Sequence, residues 1–288
     1  MFKLHFASQP CGDRGFEKIT ANRAKANHNH FLFPPARYTA GVSDTLVINE
    51  IYLSLQGEST FAGLPCIFIR LTACDLRCSY CDTAYAFTEG KKQSLPEIRA
   101  KIRQLAASFS DSQSPPLSAR LPLIELTGGE PLLQKNSLPL MQQLCDDGFT
   151  VLLETSGAHD LSPVDPRVRR IMDLKCPSSG ESGRNRLENL KHLQSTDEIK
   201  FVVGTIEDYE WAREMIATHK LAAACPLLIS WVHPLAPEQQ NKSLKPVPAG
   251  QTPVTRRELA EKIIADALPV RFQVQMHKVI WPMEQRGV

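Results

Sequence analysis

The sequence predicts an α/β protein built as a single partial (β/α) barrel, and three observations predict it. From Leu46 onward, apolar strand-like runs alternate with helix-like stretches, the signature of βα units around a parallel sheet. Two capping boxes, Ser94 with Glu97 and Thr255 with Glu258, open helices within that rhythm. Thr127, Glu130, Glu154, Thr155, Ser156, Lys175, His233 and His277 all fall at or just beyond the carboxyl ends of the apolar runs. That edge is where barrel active sites form.

Residues 1–44 carry Arg23, Lys25, His28, His30, Pro34, Pro35 and Arg37 without helical or strand periodicity, so a poorly ordered N-terminal extension is expected there. The stretch lacks the apolar segment of a signal peptide, and Asp13 and Glu17 argue against a transit peptide. Residues 45–288 are expected to form the barrel domain. Its strands are placed at 66–71, 121–126, 150–153, 171–174, 199–203, 227–231 and 270–276, seven runs that right-handed crossovers would curl into a full or partial barrel. Between them, the two capping boxes start helices that reach residues 109 and 268, and 138–147, 187–193 and 208–219 supply three more amphipathic segments. The Ser- and Pro-containing stretch 108–120 reads as a surface loop.

Composition narrows the function. At 288 residues the chain can bury a real core. Lys and Arg number 33 against 31 Asp and Glu, a net charge of +2. No electrostatic footprint therefore marks a nucleic-acid or acidic-membrane partner, and a small-molecule substrate is the simpler expectation. Eight cysteines without a secretory signal read as reduced thiols and metal ligands of a cytoplasmic protein. No apolar run approaches bilayer-spanning length.

Cys74, Cys78 and Cys81, spaced Cys-x3-Cys-x2-Cys, follow the strand at 66–71 directly and so lie at the active edge. A four-iron cluster ordinarily takes four cysteine ligands, so a loop with three leaves one iron open to bind something else. The alternatives are a zinc knuckle, a plain iron-sulfur electron carrier, or packing thiols. Zinc closes its shell with four ligands, and no second Cys-x2-Cys or His-x3-His lies nearby.

With these three cysteines, with Tyr80 before the last of them, and with the turn Thr127-Gly128-Gly129-Glu130-Pro131 one βα unit later, the chain resembles the radical S-adenosylmethionine superfamily. The resemblance implies a partial barrel of the radical SAM type. It also implies a 4Fe-4S cluster on Cys74, Cys78 and Cys81, and S-adenosylmethionine bound near Tyr80 and the glycine turn. Two adjacent glycines permit close backbone approach, and Glu130 offers an anion to an ammonium.

Four further features carry a closer resemblance, over residues 46–281, to the 7-carboxy-7-deazaguanine synthase family. They are Ser54-Leu55-Gln56-Gly57-Glu58, Arg70, Cys81-Asp82-Thr83 and Gln275-Met276-His277-Lys278. This family implies a carbon–nitrogen lyase of queuosine and 7-deazapurine biosynthesis that turns 6-carboxy-5,6,7,8-tetrahydropterin into 7-carboxy-7-deazaguanine with loss of ammonia. A flavodoxin-like protein reduces the cluster, cleavage of S-adenosylmethionine yields a 5′-deoxyadenosyl radical, and no side chain is catalytic beyond that cofactor chemistry.

The family's site residues map onto this chain as follows. Thr83 is implied as a Mg2+ ligand, since its hydroxyl is a hard donor and Mg2+ takes few protein ligands beside substrate and water. Tyr80, Asp82, Gly129, Glu130, Lys175, Cys176, Pro177 and Ser178 fall where the cofactor is held. Leu55, Gln56, Gly57, Glu58, Arg70, Thr127 and His277 fall where the pterin is held. A homodimer is implied, with neither nucleic acid nor membrane as partner. The buried Arg70 must meet an anion, which is either an internal acid such as Glu58 or the substrate carboxylate.

The chain also departs from the family. Ser59 stands where a glycine is usual, so its turn must avoid a positive φ or tolerate strain. The tail from Trp281 to Val288 runs past the usual end, which leaves the contact of the terminus open. Cys66, Cys145, Cys176 and Cys225 match no ligand position and read as packing residues. A glycyl-radical-enzyme activase remains the rival enzyme, and Gln56, Glu58 and Arg70, suited to a small acidic ring, speak against it.

Overall fold

The computed structural model describes residues 44–109, 113–114, 119–282 and 285–288, so the extension expected over 1–44 lies outside the described residues apart from Asp44. In chain order the elements are β1 (Thr45–Leu55), β2 (Pro65–Leu71), β3 (Lys91–Ser94), α1 (Leu95–Ala106), β4 (Gln113–Ser114), β5 (Ala119–Arg120) and β6 (Leu123–Gly128). There follow α2 (Ser137–Asp146), β7 (Val151–Thr155), β8 (Arg169–Asp173), β9 (Glu198–Val203), α3 (Ile206–Thr218), β10 (Leu227–Trp231), α4 (Arg256–Ala265), β11 (Arg271–Gln273) and α5 (His277–Ile280).

Nine of these strands make one sheet in the order β11-β10-β9-β8-β7-β6-β2-β1-β3. From β2 to β11 the neighbours run parallel, as the βα rhythm predicts, while β1 pairs antiparallel with both β2 and β3. The ladder does not close, so the barrel is partial. Its far end nevertheless curls back: Met276 N donates to Gly57 O at 3.0 Å, and Gln273 Nε2 donates to Ser59 O at 2.6 Å.

Side chains alternate across the sheet, as the two-residue strand period requires. Ile67, Ile69, Ile124, Leu126, Val151, Leu153, Ile199 and Phe201 face outward, in one buried cluster with Ile98 and Ile102 of α1, Met141 and Leu144 of α2, Tyr209 and Ile216 of α3, and Leu259 of α4. The inward positions hold a second, smaller cluster of Phe61, Cys66, Phe68, Leu123, Leu152 and Ile171. Glu125, Thr127, Glu154, Asp173 and Lys200 share this inward parity farther along their strands and line the central cavity. The barrel is thus apolar at one end of its interior and polar at the other.

Both expected capping boxes form. Ser94 Oγ accepts from Glu97 N at 3.4 Å, and Thr255 Oγ1 accepts from Glu258 N at 3.2 Å, with each Glu carboxylate reaching back to the cap backbone. Each box contributes about 1 kcal/mol to its helix.

Several expectations need correction. β1 and β3 were absent from the seven expected strands. The segment 187–193 winds as a 3-10 helix (Leu187–His192), not an amphipathic α-helix. The loop at 108–120 contains the short hairpin of β4 and β5. The last strand stops at Gln273, so His277 opens α5 rather than ending a strand. Among the described residues no helix is long and apolar enough to cross a membrane.

Candidate active site

Beyond the carboxyl ends of the parallel strands lies a cavity of about 540 Å³. Cys74, Cys78 and Cys81 line one wall, with Tyr80, Asp82, Thr83, Gly128 and Gly129. Leu55, Gln56, Gly57, Glu58, Arg70, Thr127 and His277 line the same cavity. The residues that the sequence assigned to metal and to substrate therefore face one space.

Backbone contacts fix the cysteine loop. Ala73, at φ 78°, donates to Ala86 O at 2.9 Å and accepts from Glu130 N at 2.8 Å, which clamps the loop to the glycine turn. A Cβ on Gly129 would lie 1.9 Å from Ala73 O, so only glycine permits this approach. On the other side Ser79 N donates to Ser179 O at 3.1 Å, and Ser79 Oγ donates to Ser178 O at 2.7 Å. Arg77 N donates to Glu181 Oε1 at 2.7 Å, and the Arg77 guanidinium stacks 4.2 Å from the Phe87 ring centroid.

The thiols are chemically suited to a cluster. The seven cysteines among the described residues are all free. Burial pushes the Cys74 thiol up to about 11 and raises Cys78 and Cys81 as well. A coordinated iron would supply the positive charge that deprotonates them. Among the described residues no three His, Cys, Asp or Glu side chains converge on a single ion, whereas a cube of four irons holds its ligands farther apart. Three thiols around a cavity wall fit that cube better than they fit one tetrahedral zinc. The Tyr80 hydroxyl is buried without a hydrogen-bond partner, and burial pushes it well above its ordinary value, so it stays protonated.

The floor is a charge network. Lys200, 4% exposed, reaches from β9 to contact Glu154, with Glu58 Oε2 at 3.4 Å and Asp173 Oδ1 at 3.6 Å. Thr127 Oγ1 donates to Glu154 Oε2 at 2.9 Å. Burial alone would raise the Glu154 carboxyl, but the Lys200 ammonium and the Thr127 donor bring it down to about 2. Among the described residues the Glu125 carboxyl meets only the Gln56 Nε2 donor, and burial and the neighbouring Glu154 push it well above the ordinary value. Gln56 Oε1 accepts from Glu58 N at 2.6 Å, and Gln275 Nε2 donates to Glu58 Oε1 at 3.0 Å. Burial lowers the His277 imidazole below its usual value.

Arg70 has an internal acid, and it is Glu50 rather than Glu58. Nε lies 2.7 Å from Glu50 Oε1 and Nη2 2.9 Å from Tyr52 Oη, which leaves Nη1 without a partner among the described residues. Ser59 takes the strained option, at φ 65°, held by its N donating to Gln273 Oε1 at 3.1 Å and its Oγ accepting from Phe61 N at 3.0 Å. The described tail residues Gln285, Arg286, Gly287 and Val288 line the cavity mouth, and Arg286 pairs with Glu89 at 2.7 Å.

Not every assigned residue reaches the cavity. Glu130 is fully buried: its carboxylate accepts from Leu132 N, Thr155 Oγ1 and Ser156 N, so it holds the turn and does not face the cavity. Of the run at 175–178 only Lys175 lines the wall, paired with Asp173 at 2.5 Å. Cys176 is core-packed, Ser178 O pins the cysteine loop, and Pro177 begins the 3-10 turn that carries it. Cys66, Cys176 and Cys225 are packing thiols as expected, and Cys145 packs partly buried against the same core. Glu154 was expected at the active edge without a role, and Glu125, Asp173 and Lys200 were given no place in the site. Their inward strand parity was the available signal.

No family model matches the chain. It is similar to the 7-carboxy-7-deazaguanine synthase of Koribacter versatilis (strain Ellin345), 43% identical over 242 residues that cover 84% of this chain and 99% of the relative. The 7-carboxy-7-deazaguanine synthase of Chlorobaculum tepidum is 39% identical over 246 residues, 84% of this chain and 97% of the relative. That of Methanospirillum hungatei JF-1 is 34% identical over 271 residues, 94% and 97% respectively. Among solved structures, QueE from Escherichia coli superposes with a TM-score of 0.58 over 81% of this chain and 95% of that one, at 23% identity, a likeness of fold.

Proposed function

The chain belongs to the 7-carboxy-7-deazaguanine synthase family, and from that premise we propose that its cavity binds 6-carboxy-5,6,7,8-tetrahydropterin and forms 7-carboxy-7-deazaguanine with loss of ammonia. The enzyme is a radical S-adenosylmethionine carbon–nitrogen lyase of queuosine biosynthesis. One observation carries the reading: the cysteine loop, the glycine turn and the floor built by Gln56, Arg70 and Glu154 all face one cavity of about 540 Å³. That volume lies within the range of small-molecule sites.

When bound, the 4Fe-4S cluster and S-adenosylmethionine supply a 5′-deoxyadenosyl radical after one-electron reduction. Cys74, Cys78 and Cys81 would hold the cluster, and Gly128 and Gly129, whose missing side chains let the turn pack on the Leu71 and Ala73 backbone, would keep that turn beside it. Arg70 offers Nη1 to the substrate carboxylate while Glu50 and Tyr52 fix its plane. Gln56, Glu58, Glu154 and His277 orient the ring, and the apolar inner cluster below excludes water from it. Thr83, which lines the cavity, would supply a hard oxygen ligand to Mg2+.

The same reading includes a homodimer, a flavodoxin-like electron donor and a cytoplasmic setting, each supported by the family resemblance. Anaerobically reconstituted protein given dithionite, S-adenosylmethionine, Mg2+ and the carboxytetrahydropterin should form the deazaguanine. Cleavage of S-adenosylmethionine that leaves the pterin untouched would overturn the substrate. Thr83→Ala should lose the stimulation by Mg2+ and keep the visible absorbance of the cluster. Full Mg2+ dependence in that variant would remove Thr83 from the mechanism.

A further inference from the structure

We propose that Lys200 is a positioning residue for the substrate: it fixes the Glu154 carboxylate on the cavity floor as the acceptor for N–H groups of the bound heterocycle. The inference rests on the reading that a pterin occupies this cavity.

Lys200 is a mid-strand lysine, 4% exposed and enclosed by the sheet, with its ammonium in contact with Glu154. Glu58 Oε2 and Asp173 Oδ1, at 3.4 and 3.6 Å, complete a three-carboxylate cage around it. A lysine placed only to stabilise the fold would be a poor choice, because a buried ion pair rarely outperforms apolar packing of the same volume. The cage does have a consequence for the cavity. Glu154 receives one donor on each oxygen, Lys200 on Oε1 and Thr127 on Oε2. A carboxylate offers about four acceptor positions, so lone pairs remain on both oxygens.

The contrast with Glu125 shows what the ammonium does. Glu125 lies on the neighbouring strand β6, lines the same cavity and is buried to the same depth as Lys200. Among the described residues no cation lies within ion-pair distance of Glu125, and burial and the Glu154 charge push its carboxyl well above the ordinary value. Two carboxyls on adjacent strands thus meet different surroundings: Glu154, its side chain 28% exposed, has the Lys200 ammonium against it, whereas Glu125, 1% exposed, has no cation in contact. Glu154, held against the Lys200 ammonium, presents acceptors only. An amidine-like N–H edge of a heterocycle finds its acceptor at Glu154, and a ring with an acceptor in place of that N–H meets repulsion there.

Steady-state kinetics of the reconstituted holoenzyme test this. Losing a charge-assisted hydrogen bond to the ligand should raise the KM for the pterin about ten- to a hundred-fold in Lys200→Met. The KM for S-adenosylmethionine and the cluster absorbance should stay unchanged, and kcat should fall by a smaller factor than KM rises. Lys200→Arg should recover most of the loss. In a Glu154→Gln background, removing Lys200 should add no more than about two-fold, because its effect passes through Glu154.

A native KM in Lys200→Met, or a double variant whose KM is the product of the two single effects, overturns the proposal. Should Lys200→Met fail to fold, the double variant, which lacks one buried charge of each sign, is compared with Glu154→Gln alone. Equal KM values support the proposal, and a further ten-fold rise overturns it. Absence of turnover by the native enzyme would instead overturn the pterin reading and this inference with it.

Discussion

The Lys278 ammonium lies 2.6 Å from Oδ2 of Asp82, with the lysine side chain only 5% exposed. Asp82 sits between Cys81 and Thr83, so this ion pair ties α5 to the cysteine loop. Met276 N and Gln275 Nε2 tie the same short segment to Gly57 O and Glu58 Oε1, each at 3.0 Å. The cofactor-side and substrate-side walls are therefore joined through one C-terminal segment. A fully buried pair loses about 3–5 kcal/mol when one partner is removed. The Asp82 side chain keeps 23% exposure, so Lys278→Met should cost about 1–3 kcal/mol. It should also raise the KM for both S-adenosylmethionine and the pterin. Anaerobic urea unfolding and kinetics check this, and Asp82→Asn added to Lys278→Met should restore part of the lost stability.

Arg70 and Glu50 stand opposite each other on β1 and β2. Tyr85 Oη also donates to Glu50 Oε1, at 3.0 Å, so the carboxylate that holds Arg70 is itself held. Lysine cannot reproduce a planar fork that engages Glu50, Tyr52 and a ligand at once. Arg70→Lys should therefore raise the KM for the pterin about a hundred-fold, and Glu50→Gln about ten-fold, with cluster absorbance unchanged in both. A Glu50→Gln enzyme with native KM would show that Arg70 keeps its pose without that carboxylate.

The cysteine loop, the glycine turn and the parallel βα order were legible because each is local: ligand spacing, a Gly-Gly pair and strand-length apolar runs. Glu125 and Lys200 were not. A parallel strand flanked by helices on both faces reads as uniformly apolar, but here one face lines a cavity. The alternation Leu123, Glu125, Thr127 and Glu198, Lys200 carries that information only once the inward parity is known. Glu130 misled for the opposite reason. Its place in the motif suggests a ligand contact, whereas two of its three hydrogen-bond partners, Thr155 and Ser156, lie about twenty-five positions away, which no local pattern reveals. β1 escaped notice because its antiparallel pairing with β3 crosses the cysteine loop.

Gly129 gives a prediction on the boundary between fold and site. A Cβ there would lie 1.9 Å from Ala73 O and 3.0 Å from Cys74 N, both backbone atoms that cannot swing aside. Gly129→Ala should cost about 3 kcal/mol or more and displace the first cysteine of the loop. The readouts are thermal unfolding and the iron content after anaerobic reconstitution. Gly183→Ala, whose added Cβ meets nothing within 4 Å, serves as the control and should match the native protein in both.

The two floor carboxyls give opposite pH dependences. Glu154, held at about 2 in the fold, binds fewer protons there than in the unfolded chain, where a Glu titrates near ~4.3. Its stabilising contribution is therefore complete above that value and is lost as pH falls toward 2. Glu125, held well above its ordinary value by burial and by Glu154, takes up a proton on folding. Its contribution is complete below ~4.3 and declines as pH rises above that value toward the raised one. Glu125→Gln removes that second titration and keeps an acceptor for Gln56 Nε2. Relative to the native protein it should gain stability steadily between about pH 5 and pH 8. Glu154→Gln should flatten the acid limb below about pH 4.5 and, because it removes a charge that raises Glu125, should also soften the loss of stability at higher pH. Anaerobic urea unfolding across that range, at constant ionic strength, measures both slopes. If Glu125→Gln runs parallel to the native curve from pH 5 to 8, Glu125 is ionised in the folded protein and the floor does not hold its two carboxyls in opposite states.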